Sequence, residues 1–291
     1  MPPAPPSHID WQIAGDTLRA DGVVHLPQVL DAAAFARVEA LVEANLADPG
    51  PSARRFYPDE AATFLEAAGS EAFRERYLAA VRETGIRDMV GALWGQPGDG
   101  QGGEQGPQSR MWYLGAQLFL KEGGQSRHTP WHQDTSYLRM RGEQLVAVWT
   151  CLDPLPKEYC LEFVRGSHHG ELFNGSAFDA KDDTAPLYRR SPLQRLPDIQ
   201  ANRSAYDILS WDVTPGDLIV FHLGVLHGGA GTAPGMRRRT VSLRFLGPDV
   251  VFDGRMRDYR DAQEGNDVAL AGFYSGMKDG EPFRVALLPP V

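Results

Sequence analysis

Trp131-His132-Gln133-Asp134 sets an imidazole and a carboxylate two residues apart, directly after Pro130, which disfavours a helix. Along an extended strand residues i and i+2 face the same way, so this stretch would offer two metal donors to one surface. A second histidine would complete the two-His, one-carboxylate facial set, whose open positions suit iron(II) oxygenases. An H-x-D triplet alone arises by chance, most often as a solvated pair on a surface strand. The weight therefore rests on a distal donor. Pro215-Gly216-Asp217 reads as a turn into the apolar run Leu218 to Phe221, and His222 and His227 follow. His227 is preferred, because Gly228 and Gly229 permit close approach. His222 ends the apolar run and reads as a satisfied core histidine.

Arg238 stands eleven residues beyond His227, with Thr240 and Ser242 at strand spacing. The three share a face, where a guanidinium can clamp a carboxylate bidentately and a hydroxyl can add a bond. That pattern suits the distal carboxylate of 2-oxoglutarate. Arg237 and Arg239 should point the other way, as a solvated basic turn.

Other chemistries find less support. His128 and His132 are spaced as in a zinc protease, but Thr129 stands where the glutamate base belongs. His168 and His169 read as a turn. No G-x-S-x-G elbow is present. Gly98, Gly100 and Gly103 match a dinucleotide fingerprint by letter, yet a helix precedes them and a strand follows, the reverse of what that motif needs. Cys151 and Cys160 form no C-x-x-C pair and read as buried thiols.

Positioning these groups requires a β core. From Met111 onward short strands broken by turns are expected at 111–121, 144–152, 160–165, 217–222 and 239–246, a sandwich or barrel pattern that includes the jelly roll. Residues 1–94 read as helical. Asp31 caps a helix with Phe35, Val38, Leu41, Val42 and Leu46 on one face, and a second helix runs from Ser70 to Trp94. Helices first and strands after imply helices packed outside one β core. The expected organisation is a single domain: the helical part, a flexible glycine-rich loop at 95–108, the core at about 109–250 and a C-terminal extension over 251–291. The polar segment 171–210 is a candidate lid, with Arg189 and Arg190 as candidate anion contacts or part of a solvated loop.

A net charge of -9 leaves no basic field for a phosphate backbone, so nucleic acid is not an expected partner. No apolar stretch approaches the roughly 20 residues of a membrane span, and the N-terminus lacks the features of a secretory signal. A cytoplasmic protein acting on a small molecule is expected; its oligomeric state is not legible.

The order of these motifs resembles the phytanoyl-CoA dioxygenase family: H-x-D, a Gly166-Ser167-His168 turn, P-G-D with a distal histidine, then an arginine eleven residues on. Asp21-Gly22-Val23-Val24-His25-Leu26-Pro27, leading to Val29-Leu30-Asp31, is similar to that family's opening, and the likeness spans roughly residues 16–246. The resemblance implies a double-stranded β-helix (jelly roll, cupin-like) with flanking helices. It implies iron(II) on His132, Asp134 and His227, 2-oxoglutarate on Arg238, and dioxygen as second cosubstrate. Trp149 matches a family tryptophan near the cosubstrate, although by residue pattern it is a core aromatic.

Two departures stand out. Glu158-Tyr159-Cys160 replaces the E-N-G common in relatives, and Gly229 replaces a serine found in some, which removes one possible cosubstrate hydrogen bond. Family halogenases carry a small residue in place of the carboxylate, so Asp134 favours hydroxylation. The implied activity is hydroxylation of an unactivated C–H of a small organic substrate, with release of succinate and CO2, and Gln133 is a candidate support for the metal ligands. The rival readings are a redox-neutral cupin-type metal enzyme and a non-catalytic jelly-roll binding protein, neither of which needs Arg238.

Overall fold

The Asp10 and Asp31 carboxylates accept hydrogen bonds from the amides of Ile13 and Ala34 and so open the first two helices. The computed structural model describes residues 3–68, 70–96, 111–188, 191, 193–254, 276–283 and 290–291. Gly98, Gly100, Gly103, Arg189, Arg190 and most of the 251–291 extension lie outside them. In chain order the first elements are α1 (Trp11–Asp21), β1 (Val23–Leu26), α2 (Ala32–Ala47), β2 (Arg54–Phe56), β3 (Thr63–Ala67), α3 (Glu71–Glu83) and α4 (Ile86–Leu93). Then come β4 (Trp112–Glu122), β5 (Thr129–His132), α5 (Thr135–Leu138), β6 (Met140–Arg141), β7 (Leu145–Cys151) and β8 (Leu161–Val164). The chain continues with β9 (Ile208–Leu209), β10 (Leu218–His222), β11 (His227–Gly229), β12 (Arg238–Leu246) and β13 (Val251–Phe252).

The expected all-helical N-terminal part is corrected in two respects. First, β1, β2 and β3 join the large sheet, whose order is β1-β10-β7-β12-β4-β3-β2. The TFLEA run of β3 has no strong strand preference of its own. Pairing with β4 satisfies its backbone and buries Phe64 and Ala67, so tertiary context overrides local propensity. Second, the expected helix from Ser70 to Trp94 is two. Gly85, at φ +75°, takes the left-handed conformation between α3 and α4, and a Cβ there would lie 2.6 Å from the Pro3 carbonyl oxygen.

The large sheet alternates its side chains between two different neighbours. Val146, Val148, Leu218, Val220, Val241, Leu243 and Phe245 face the helices, where Val38, Val42, Tyr77, Val81, Met89 and Leu93 meet them. Ala147, Trp149, Cys151, Ile219 and Phe221 face inward with Phe163. A smaller antiparallel sheet, β5-β11-β8-β9, completes the jelly roll. Leu196 and Ile199 of the long polar segment pack on Trp131, Val164 and Leu226. That part of the segment is therefore packed against the core.

The P-G-D motif explains how β10 is aligned. The Asp217 carboxylate accepts from the Gln28 amide (2.9 Å) and the Thr214 amide (3.0 Å), and lies 3.1 Å from His25 Nε2. It ties β1 to the turn before β10. Among the described residues no helix is long and apolar enough to cross a membrane.

Candidate metal centre

His132 ends β5, His227 begins β11, and the two are direct cross-strand partners with ring centroids 4.2 Å apart. Each imidazole is fixed in the same way. His132 Nδ1 lies 2.8 Å from the Pro130 carbonyl and His227 Nδ1 lies 3.0 Å from the Val225 carbonyl. A carbonyl can only accept, so Nδ1 carries the proton on both rings and the Nε2 lone pairs are left for a metal. Ser167 of the G-S-H turn accepts from the Leu226 amide at 2.8 Å and donates to the Val164 carbonyl, which holds the residue before His227 against β8.

Asp134 arrives differently from the strand expectation. β5 stops at His132, and Asp134 has helical dihedrals (φ -60°, ψ -30°) at the start of α5. Its carbonyl already accepts from Tyr137 and Leu138, so the chain turns there and the pleat does not aim the carboxylate. Arg244 does. Its Nε and Nη2 donate to Asp134 Oδ2 at 3.2 and 2.9 Å, leaving Oδ1 at 3.5 Å from His132 Nε2 and 4.0 Å from His227 Nε2. The three donor atoms lie within 4.8 Å of one another and all three residues are buried.

Electrostatics keep the set ready for a cation. Burial alone would raise the Asp134 carboxyl. The groups around it, the Arg244 guanidinium foremost, outweigh burial and hold the carboxyl well below its ordinary value. Burial, with His132 beside it, pulls His227 down to about 3, so its imidazole is neutral near neutral pH.

Arg244 also donates to Gln117 Oε1, and the Gln117 amide donates onward to Glu66. These partners were not singled out from the sequence. Arg244 continues the spacing of Arg238, Thr240 and Ser242 by one step, so extending that face would have found it. Arg244→Leu is expected to weaken metal binding about 10–100-fold, as losses around metal ligands do; an unchanged affinity in a cobalt(II) titration would remove it from this role.

Arg238, Thr240 and Ser242 do share the inward face of β12, opposite Lys121, Phe119 and Gln117 of β4. The Arg238 guanidinium is buried, and Nη1 donates to the Tyr159 carbonyl (2.6 Å) and the Ala230 carbonyl (3.0 Å). Nε and Nη2 make no hydrogen bond to any described residue. Tyr159 belongs to the segment that departs from E-N-G, and its backbone supports Arg238. Trp149 is paired with Ser242 across β7 and β12, and the Ser242 hydroxyl is buried without a partner among the described residues. Thr240 pairs with Cys151.

The remaining histidines are engaged elsewhere. His222 Nε2 lies 2.8 Å from the Gly142 carbonyl, and His168 and His169 both face the Arg19 carbonyl. His128 meets Asp183 at 2.7 Å. Gly228 and Gly229 fit β11 between its neighbours, since a Cβ would lie 3.0 Å from the Thr129 carbonyl or 3.1 Å from Leu161. Arg239 is not solvated as expected. It bonds Asp153 and Glu43, because on the outward face of β12 it meets α2 and the loop after β7. Arg237 bonds Glu122.

The segment after the G-S-H turn covers the ligands. Gln133 donates to the Glu171 and Gly224 carbonyls and accepts from the Phe173 amide. Tyr137 bonds both backbone groups of Ser176. Phe178, at φ +54°, sets its ring edge-on to His132 at 5.7 Å and stacks on Phe56 at 5.0 Å. An aromatic wall thus stands beside the metal ligands.

Residues 18–240 match the phytanoyl-CoA dioxygenase (PhyH) family. The chain belongs to that family. No curated protein matches it in sequence. Among solved structures, the non-heme alpha ketoglutarate dependent carbocyclase SnoK from nogalamycin biosynthesis is similar over 100% of both chains, with 18% identity and a TM-score of 0.65. The epimerase SnoN, solved with Fe3+, alpha ketoglutarate and nogalamycin RO, is similar over 96% of this chain and 98% of its own, with 18% identity and a TM-score of 0.64. EctD from S. alaskensis, solved with 2-oxoglutarate and 5-hydroxyectoine, is similar over 84% and 77%, with 18% identity and a TM-score of 0.55. These structures share the fold of the chain; its chemistry is argued from its own residues.

Proposed function

We propose that the protein is an iron(II)- and 2-oxoglutarate-dependent dioxygenase that hydroxylates an unactivated C–H bond of a small organic substrate. The observation that carries this reading is a pair of features meeting between the two sheets: a buried His-Asp-His donor set, tied by Arg244 to the inward face of β12, and on that face an arginine whose Nε and Nη2 bond no described residue. His132 and His227 would each give Nε2 and Asp134 would give Oδ1 to the metal. Arg238 would clamp the distal carboxylate of the keto acid, with the orphaned Ser242 hydroxyl and Thr240 beside it and Trp149 as a wall. Iron(II) bound there supplies dioxygen activation at the expense of the keto acid, which leaves as succinate and CO2.

The chain's own residues bind, orient and exclude water. Arg244 holds Oδ2 of Asp134, which would leave Oδ1 for the metal. Gln133 and Tyr137 fasten the covering segment, and Phe178 shields His132. Asp134 fills the position that a halide would need, which favours hydroxylation over halogenation.

A redox-neutral metal enzyme or a binding protein gives no reason for Arg238's two unused donors. A second oxidative outcome does have support, since the similar SnoK and SnoN are a carbocyclase and an epimerase. Product mass separates these outcomes: one added oxygen for hydroxylation, two hydrogens lost for ring closure, no change for epimerisation. The site itself is tested by adding iron(II) and 2-oxoglutarate without oxygen. A weak visible charge-transfer band is expected, and its absence overturns the reading.

A further inference from the structure

Lys121 is 1% exposed, pairs directly with Arg238 across β4 and β12, and takes no part in the chemistry above. Its Nζ donates to the Arg127 carbonyl (2.8 Å), Thr129 Oγ1 (3.1 Å) and the Ala230 carbonyl (3.2 Å), and it lies 4.1 Å from the centroid of the Phe64 ring. The Ala230 oxygen is the one that also accepts from Arg238 Nη1. All the acceptors are neutral.

Two buried basic side chains therefore share one carbonyl, and among the described residues no carboxylate bonds either of them. The nearby charged groups are committed elsewhere. Arg127 turns its guanidinium to Asp183 and Glu60, His128 meets Asp183, and Glu66 on β3 takes the Gln117 amide. Cys151 and Cys160 are pushed up to about 12 and about 11, chiefly by burial, and so stay neutral thiols. Buried charges are ordinarily paired, and an uncompensated pair of like sign is costly. Such a pair is accounted for if an anion completes it.

We propose that Lys121 is the second cation of the distal-carboxylate seat, a positioning residue that does not touch the ligand but makes the seat selective for a dianionic keto acid. This rests on the function proposed above. Its three N–H donors are already used, so Lys121 acts through its field and through the carbonyl that it shares with Arg238. In the empty seat burial and the facing Arg238 pull the ammonium well below its ordinary value. A carboxylate against Arg238 offsets that repulsion, so binding favours the protonated lysine. The sign follows from linkage: 2-oxoglutarate favours the protonated lysine, and its affinity falls as pH rises past the lowered value.

The test is calorimetry without oxygen on the iron(II)-loaded protein, comparing 2-oxoglutarate with 2-oxobutyrate, which lacks the distal carboxylate. Lys121→Met is expected to weaken 2-oxoglutarate at least about tenfold and to leave 2-oxobutyrate within about twofold. A structural role alone would weaken both acids alike, and that result, or no change in either, overturns the inference. Should the variant not fold, wild type decides: across the pH range in which the protein stays folded the ratio of the two affinities should fall as pH rises, and a constant ratio overturns the inference. If wild type binds neither acid, the proposed function itself fails, and this inference falls with it.

Discussion

Asp134→Ala is expected to abolish succinate formation, with a loss of at least about 10³-fold, beyond the 10–100-fold cost of changes around metal ligands. Asp134 is the one anionic donor of the set, and both histidines are neutral when they bind. Without it a divalent cation would face two imidazoles and the Arg244 guanidinium. The alanine also strands Arg244, leaving it only its bond to Gln117. Removing one partner of a buried ion pair costs about 3–5 kcal/mol, so this variant should lose both metal and stability. Asp134→Asn separates the two effects. Its amide oxygen can still accept from Arg244, so melting should stay closer to wild type while metal affinity and turnover fall. Normal succinate release from either purified variant would overturn the metal assignment.

How much of this was legible in the sequence depends on what carried each feature. His132 and His227 were readable because each stands where a strand begins or ends, and a local pattern of prolines, glycines and apolar runs marks such places. Asp134 was readable as a donor but not in its conformation. The turn at α5 is set by its contacts, such as the Thr135 amide reaching the Leu223 carbonyl, and by Arg244 from a strand more than a hundred residues away. The strands β1, β2 and β3 were hidden for the same reason. β1 carries the strand-favouring Val23 and Val24 but is only four residues long, while β2 and β3 mix in helix formers and become extended by pairing with each other and with β4.

Lys121 and Gln117 were hidden in another way. In Met111 to Glu122 they look like polar residues on the wet side of a half-buried strand. Lys121 is buried against Thr129 of β5 and the chain after β11, and Gln117 meets Glu66 and Arg244, so their surroundings depend on long-range packing. The family resemblance supplied what local pattern lacked for the order of motifs. It did not supply these partners, which belong to this chain's own contacts.

Arg238→Met should separate the cosubstrate seat from the metal site. Methionine keeps an unbranched side chain but removes the guanidinium, so the distal carboxylate would enter a buried site with its main cation gone. Truncating one partner of a buried, hydrogen-bonded charge pair costs about 2–5 kcal/mol. At 1.4 kcal/mol per factor of ten that is roughly 30-fold to several thousandfold in affinity. The expected result is a rise in the KM for 2-oxoglutarate of about 100-fold or more, with metal affinity close to wild type. Stability should also fall, because the Tyr159 carbonyl loses its donor while the Ala230 carbonyl keeps Lys121. That loss appears in the melting of the apoprotein and does not depend on the keto acid, so the two roles are measured apart. Arg238→Lys restores charge without the planar fork and should recover affinity only in part. If the methionine variant kept a normal KM, the open donor nitrogens Nε and Nη2 of Arg238 would need another ligand, and the dioxygenase reading would lose the feature that sets it apart from its rivals.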